Sequence, residues 1–519
     1  MSTAQRTGTA RMSEPIDAVA DQLRQAGVLA RRLREVLGLL AAGGARPLDE
    51  LVRSTGVPRR DVELLLAAAQ GDVEAAAGGF RLSERAASRY VERFALDGLD
   101  APVGTGAQLE LLRSFVASGP APDAALDHVT ATPETVLRRA EWLSAHYDLA
   151  GARVVCLGDH DLTSLAVKLL VPSASVTVVD VDERILQHLD RVSAEQGFEL
   201  CTLHADLRFG LPAGVAESAD VVITDPPYTP EGIGLFASRA VECLADGGGR
   251  VVIAYGFSPR TPALGHKVQQ ELLRLGLVFE AVLPGFNRYF GAQAIGSSSD
   301  LYVCQPTANA RRTVLRQGTG IYTHGPHSVE SARGEVSAEL LAGVGERAGC
   351  RVESLRAPDW SRPVRGDRAG VFDLRADPGP WLLRMLLATN SPRAVFLVDN
   401  NHPDITGEAG QRALAELVAD KYALRFHRSS PDRKHAVVVA EEREPGSAAG
   451  FVLRRAHGKL RNVWREALIE QAGGALSKRE AVERVRARAP HPRDLSLRLI
   501  DLPRHRVRDV LRALGQVRL

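Results

Sequence analysis

Seven short runs of apolar, β-favouring residues punctuate the middle of this chain. They lie at Arg153–Leu157, Ser175–Val179, Leu200–His204, Val221–Thr224, Arg250–Ala254, Leu277–Leu283 and Ser299–Gln305. Val221, Val222 and Ile223 follow one another without a polar break, the pattern of a parallel strand covered on both faces. Residues at helical spacing separate most of the runs, which predicts a doubly wound α/β sheet between about Thr132 and Pro306. A capped helix opens it, with Thr132 ahead of Pro133 and Glu134.

Such a sheet is Rossmann-like, of the class I methyltransferase type. Before it, Ile16 to Leu40 carries apolar positions at helical spacing until Gly43-Gly44. Leu48–Thr55 and Arg59–Gln70 then read as helix-turn-helix around Gly56, and GGFRLSERA as a wing. Residues 14–92 are therefore expected to form a winged-helix module, and 93–131 a linker with a helix near Ala107–Ala117. Residues 307–450 echo the central pattern: VFDLRADPGPWLLRMLLA parallels VVITDPPYTPEGIGLFASRA, and RAVFLVDNN parallels RVVIAYG. They are expected to form a degenerate second α/β module without the second proline and tyrosine, and 451–519 a basic helical tail. Residues 1–13 are expected to be a disordered tail.

Composition removes several function classes. With 65 basic and 63 acidic residues the net charge is +2, so bulk charge argues for neither nucleic acid nor a membrane surface. The would-be recognition helix offers only Arg59 and Arg60, a poor set for DNA. Cys156, Cys201, Cys243, Cys304 and Cys350 are scattered beyond metal-ligand spacing, which implies no metal and a reducing cytoplasm. No apolar run reaches membrane-spanning length and no signal-peptide core is expected.

Ligands of an open α/β sheet collect outside the carboxyl ends of its strands, and four segments converge there. In VVCLGDHDLTSLA, Gly158 lets the backbone turn while Asp159, His160 and Asp161 stand at the mouth; an Asp or Thr163 caps the next helix. The loop lacks the GxGxG of ordinary methyltransferases. In VTVVDVDERIL, Asp180 and Asp182 lie about 20 residues past that loop, where an acid binds ribose hydroxyls. Asp206 in LHADLR stands where an acid meets an adenine amine. Asp225, beside Pro226 and Pro227, can accept hydrogen bonds from an amine, and Tyr228 can stack on a cationic substrate. The alternative for DPPY is a plain strand-ending turn. Phe286, Asn287 and Tyr289 form either an aromatic and polar substrate wall or an ordinary core crossing. Asp159, Asp161, Asp206 and Asp225 around one pocket would attract a cation, with a polyamine the natural candidate. His160 suits the role of general base, with Asp159 and Asp161 expected to push its pKa upward.

The segments TPETVLRRAEWLSAHYDLAGARVVCLGDHDLTSLA, VDVDERI, ITDPPYT and the FNRY stretch resemble the branched-chain polyamine synthase family, the bis(aminopropyl)spermidine synthases. The resemblance runs from the winged-helix module to about Pro306. It implies transfer of aminopropyl groups from decarboxylated S-adenosylmethionine to a secondary amine of a linear polyamine such as spermidine. It also implies a homodimer. The family's loop reads Gly-Asp-Asp-Asp, and its middle acid is the proposed base. Gly158, Asp159 and Asp161 match, and the base role falls on His160. Tyr228 after the two prolines is instead the mark of an amino-methyltransferase using intact S-adenosylmethionine, which stands as the alternative. A winged-helix DNA-binding regulator is the third reading.

Overall fold

The computed structural model describes residues 14–76, 78–99, 103–245, 248–310, 320–323, 336–349, 351–366 and 369–515. The expected tail of residues 1–13, and Cys350, lie outside the described residues. The predicted Ile16–Leu40 helix is divided into Pro15–Ala26 and Ala30–Ala41. Gly27 has φ +56° between them, a left-handed turn that no apolar spacing announces. Helices Leu48–Thr55 and Arg59–Ala68 follow, then the antiparallel hairpin of β1 (Val73–Ala76) and β2 (Gly79–Leu82). Ser83 caps the helix Glu84–Phe94. Thr105 and Gln108 form a capping box on the helix Gly106–Ala117.

The central sheet has seven strands: β3 (Arg153–Leu157), β4 (Ser175–Asp180), β5 (Leu200–His204), β6 (Val221–Thr224), β7 (Arg250–Tyr255), β8 (Leu277–Arg288) and β9 (Ser298–Pro306). Their order is β5-β4-β3-β6-β7-β9-β8. The first five are parallel; β9 pairs antiparallel with both β7 and β8. The chain steps outward from β3 to β5 and then returns to β6 beside β3. The loops after β3 and β6 therefore part at the switch point, where a crevice opens at the carboxyl edge. Helix Pro133–His146 packs on this sheet through Val136, Ala140 and Leu143.

One strand runs further than its apolar pattern. β8 was expected to end at Leu283, but it continues to Arg288 across a register irregularity between Leu283 and Asn287. The extra residues at Pro284-Gly285 are absorbed as a bulge, so pairing resumes and carries Asn287 and Tyr289 beneath the crevice.

Beyond residue 336, the two-residue strands β10 (Val364–Arg365) and β12 (Thr389–Asn390) pair in parallel. A mixed sheet of order β11-β13-β15-β14 is built from β11 (Gly370–Leu374), β13 (Arg393–Asp399), β14 (Tyr422–His427) and β15 (His435–Glu442). The segment read as a basic tail packs on it: Leu453, Trp464, Leu468, Val485 and Val507 share one apolar core with Phe396, Leu386 and Val438. Its arginines lie on faces whose opposite sides are core, a division that composition averages away.

This C-terminal assembly is bolted to the helix Glu183–Gln196. Glu183 pairs with Arg384 and accepts the Arg504 backbone N–H at 2.7 Å. Asp190 accepts from both Arg506 Nε and Nη2 at 2.7 Å and faces His505 Nε2 at 2.6 Å. Burial works against the Asp190 carboxylate, but His505 and Arg506 hold its pKa below the ordinary value. Asp190→Ala should therefore cost about 2–4 kcal/mol, under the range for fully buried pairs because Asp190 and Arg506 remain 12% and 11% exposed. Because the folded pKa is depressed, the contribution is complete above the unfolded carboxylate value of about 3.9 and fades as pH falls below it. Urea unfolding of both proteins at pH 7 and pH 3.5 measures this; equal stability at pH 7 refutes it.

Candidate active site

The crevice is a cavity of about 520 Å³. The loops after β3, β4, β5 and β6 supply one side, and Arg139, His128, Tyr289 and the strap Ile321–Tyr322–Thr323 close the rest. Of the expected site residues, Gly158, Asp159, His160, Asp161, Asp180, Asp206, Asp225, Pro226, Pro227, Tyr228 and Tyr289 all line it. Three do not. Asp182 caps the helix Glu183–Gln196 and holds Arg184. Phe286 sits under the Arg138 guanidinium, 5.9 Å from the ring centre. Asn287 is fully buried behind Arg139. Along β8 the strand alternation sends Phe286 to Arg138 and Asn287 to Arg139, and Asn287 stays behind that guanidinium while Tyr289 reaches the cavity.

Arg139 was not anticipated. It is buried on the apolar stripe of the helix Pro133–His146, three residues after Val136 and four before Leu143. An arginine at a core position of a helix was the available signal. Its guanidinium donates to Asn287 Oδ1, Asp161 Oδ2 and Asp225 Oδ2, each at 2.7 Å, and to Thr163 Oγ1 at 3.2 Å. Tyr289 and Tyr228 donate their hydroxyls to Asp225 at 2.7 and 3.1 Å. Burial, then the neighbouring Asp161, pushes Asp225 up to about 7. Burial also opposes ionisation of Asp161, but Arg139 and the Ala131 backbone N–H at 2.9 Å keep it below the ordinary value.

Gly158 turns the chain at φ +69° and donates its N–H to Val179 O at 2.9 Å. Asp159, rather than Thr163, then receives the N-terminal donors of the helix Thr163–Leu170, from the Ser164 backbone and hydroxyl. Burial raises Asp159 to about 8. Asp180 accepts the backbone N–H groups of Asp159 and Asp182 at 2.9 and 2.8 Å, and burial raises it to about 6.

His160 behaves opposite to expectation. Its ring stacks on His128 with centres 4.4 Å apart, and Nε2 meets Thr130 Oγ1 at 3.2 Å. Burial, then His128, lowers its pKa, outweighing Asp161 and its neighbours. The ring is neutral at pH 7. In the tautomer that donates Nε2–H to Thr130, its buried Nδ1 keeps a lone pair with no partner among the described residues.

The count of four free acids also needs correction. Burial favours the protonated form of Asp159, Asp161 is paired with Arg139, and Asp206 is gripped by Arg208. Asp206 further accepts from Trp381 Nε1 at 3.0 Å, and the Arg208 guanidinium lies 4.9 Å from the Trp381 ring and 5.7 Å from Tyr322. The C-terminal assembly thus braces one wall of the cavity, a contact across 175 residues that no local pattern foretells.

Residues 108–310 match the model of the branched-chain polyamine synthase A C-terminal domain. The resemblance read from the GDHDLTS and DPP segments is thereby borne out over the strands that build the crevice. The chain is 36% identical over 191 residues to an uncharacterized protein of Methanocaldococcus jannaschii, covering 37% of this chain and 48% of that protein. It is 32% identical over 185 residues to an N(4)-bis(aminopropyl)spermidine synthase of Thermococcus kodakarensis, covering 35% and 52%. The matched region thus spans about half the length of these relatives. The crystal structure of the branched-chain polyamine synthase from Thermus thermophilus, with N4-aminopropylspermidine and 5'-methylthioadenosine, is 25% identical. It aligns over 62% of this chain and 99% of that chain, with a TM-score of 0.37.

The protonated state of Asp159 is testable through stability. Its folded pKa of about 8 exceeds the unfolded value, so the wild-type cost of keeping it neutral grows between about pH 4 and 8. Asp159→Asn removes that cost, and its stability relative to wild type should rise steadily from pH 5 to pH 8. A difference independent of pH in chemical denaturation would show that Asp159 ionises normally.

Proposed function

We propose that this protein transfers aminopropyl groups from decarboxylated S-adenosylmethionine to an amine of a linear polyamine such as spermidine, giving branched products. The observation that carries the reading is the coincidence of the family match over residues 108–310 with the loops that wall the cavity. In the reaction the amine lone pair forms a bond to the methylene carbon beside sulfur. The carbon–sulfur bond breaks, and methylthioadenosine leaves.

The donor fits the residues present. Asp180 stands among Leu126, Val181, Ala205 and Leu207, a carboxylate amid apolar side chains that suits a diol beside a flat base. Asp180 takes the ribose hydroxyls, and Asp206, fixed by Arg208 and Trp381, bounds the base end. Asp225 with Pro226 and Pro227 receives the amine, and Tyr228 and Tyr289 orient that carboxylate. Two groups are placed to accept a proton from the amine: His160 and Asp225. With His160 standing where the family's loop carries an acid, less negative charge is available to a polycation, so this pocket should favour shorter amines. No metal is assigned a role.

The N-terminal helices and hairpin belong to this reading as a winged-helix packing module, residues 307–450 as a degenerate α/β module, and the functional unit as a cytoplasmic homodimer. Among the described residues no helix is long and apolar enough to cross a membrane. Methyl transfer from intact S-adenosylmethionine is the second reading, favoured by the hydrogen bond from Tyr228 to Asp225.

Purified protein given labelled decarboxylated or intact S-adenosylmethionine, with spermidine, separates the two by product mass. Aminopropylated product only from the decarboxylated donor is expected; methylated amine from the intact donor overturns the assignment. Asp180→Ala should raise the calorimetric Kd for methylthioadenosine at least about tenfold while saturated turnover falls less than about threefold, since a ribose contact contributes mostly uniform binding. Unchanged nucleoside affinity would remove Asp180 from the donor site.

A further inference from the structure

One cation serves two buried carboxylates in this cavity. Arg139 Nη1 donates to Asp161 and Nη2 to Asp225, while Nε is fixed by Asn287, whose own amide donates to Ser299 Oγ at 2.9 Å. The guanidinium fork is therefore held from behind and cannot swing toward either acid. With both acids ionised the trio carries one uncompensated negative charge out of water, which one proton relieves.

The two acids are not equivalent homes for that proton. Asp161 receives a cation and the Ala131 backbone N–H, donors that favour its charged form. Asp225 shares the cation, receives the neutral hydroxyls of Tyr228 and Tyr289, and meets the Asp161 carboxyl, an arrangement in which a proton on Asp225 is donated to Asp161; it lines the cavity beside the two prolines. We propose that Arg139 is a positioning residue that, together with the Ala131 N–H on Asp161, makes Asp225 the member of the pair that gains and loses the one titrating proton, so that ionised Asp225 takes a proton from the amine before attack. This rests on the aminopropyl-transfer reading above and assigns the proton to Asp225 instead of His160.

The step balances. A secondary ammonium gives one proton to the ionised Asp225 and keeps the electron pair of that N–H bond. The lone pair then bonds to the methylene carbon, the C–S pair goes to sulfur as the neutral thioether, and the tertiary amine leaves as its ammonium. Asp225 returns its proton to solvent through the cavity. The directions of the two shifts agree: Asp161 is lowered, and Asp225 is raised to about 7. The groups facing Asp225 are Arg139 from the helix Pro133–His146, Asp161 from the loop after β3, Tyr228 beside it and Tyr289 after β8. Asp159, His160 and Asp180 lie on the same cavity wall.

The test is the pH dependence of kcat/KM for the amine in wild type, Asp161→Asn, Arg139→Gln and Arg139→Lys. The ionisation of the amine itself is common to all four, so only displacements count. Removing the neighbouring charge in Asp161→Asn should move the acidic limb at least about one unit lower. Removing the cation in Arg139→Gln should move it at least about one unit higher, with Arg139→Lys restoring part of the shift. If Arg139→Gln does not fold, Asp161→Asn and Arg139→Lys decide alone. A limb unmoved in Asp161→Asn and in the folded Arg139 variants overturns the proposal. Difference infrared titration of the Asp225 carboxyl, identified by its loss in Asp225→Asn, reads the same displacement without turnover. If wild type transfers no aminopropyl group and yet that titration shifts as expected, the activity reading fails and the proton assignment stands. If transfer occurs and the titration does not shift, the assignment fails alone.

Discussion

The arrangement of the cavity depends on one buried guanidinium. Arg139 joins the helix that opens the central sheet to the loop after β3, the loop after β6 and the far end of β8, through Asp161, Asp225 and Asn287. Burying such a group alone would be prohibitive, and it is tolerated because its donors meet carboxylate, amide and hydroxyl oxygens in a fixed fork. The same contacts place two acids of the crevice at hydrogen-bonding distance from one another's cation. Geometry and electrostatics at this point are a single property of the fold.

Burial governs the rest of the site more than formal charge does. Asp159 and Asp180 sit at strand ends where backbone N–H groups converge, yet the loss of water raises both. His160, flanked by acids in sequence, becomes less basic because burial, then the His128 ring stacked on it, outweighs the pull of Asp161, Asp180 and Asp182. A pocket that looks strongly anionic when its residues are counted is thus much closer to neutral at pH 7. Such a pocket selects amines by shape and by individual hydrogen bonds more than by field.

Support for the cavity reaches well beyond the matched residues 108–310. Trp381 donates to Asp206 from the C-terminal assembly, and Thr323 donates through its backbone N–H and its hydroxyl to Asp127, each at 2.6 Å. Phe209 packs against Trp360 and Trp381 with ring centres 4.2 and 5.2 Å away. The charged face of the helix Glu183–Gln196 completes the junction. The region whose role was least legible in the chain therefore forms part of the scaffold behind the wall that carries Asp206.

Strand runs, Gly158, the acids after β3 to β6 and the DPPY turn were all legible along the chain, because parallel strands must be apolar and their carboxyl ends must bear the chemistry. Those are local requirements, written in adjacent residues. The split at Gly27, the bulge that carries β8 past Leu283, the screening of Asn287 behind Arg139, and the core packing of residues 451–519 were not. Each turns on which face a residue presents, and that is settled only when distant elements meet. Above all, the raised pKa values of Asp159 and Asp225, the lowered one of His160 and the part played by Arg139 belong to the tertiary structure alone. A pKa is set by the water a group has lost and the charges it has gained, and neither quantity exists until the chain has folded around it.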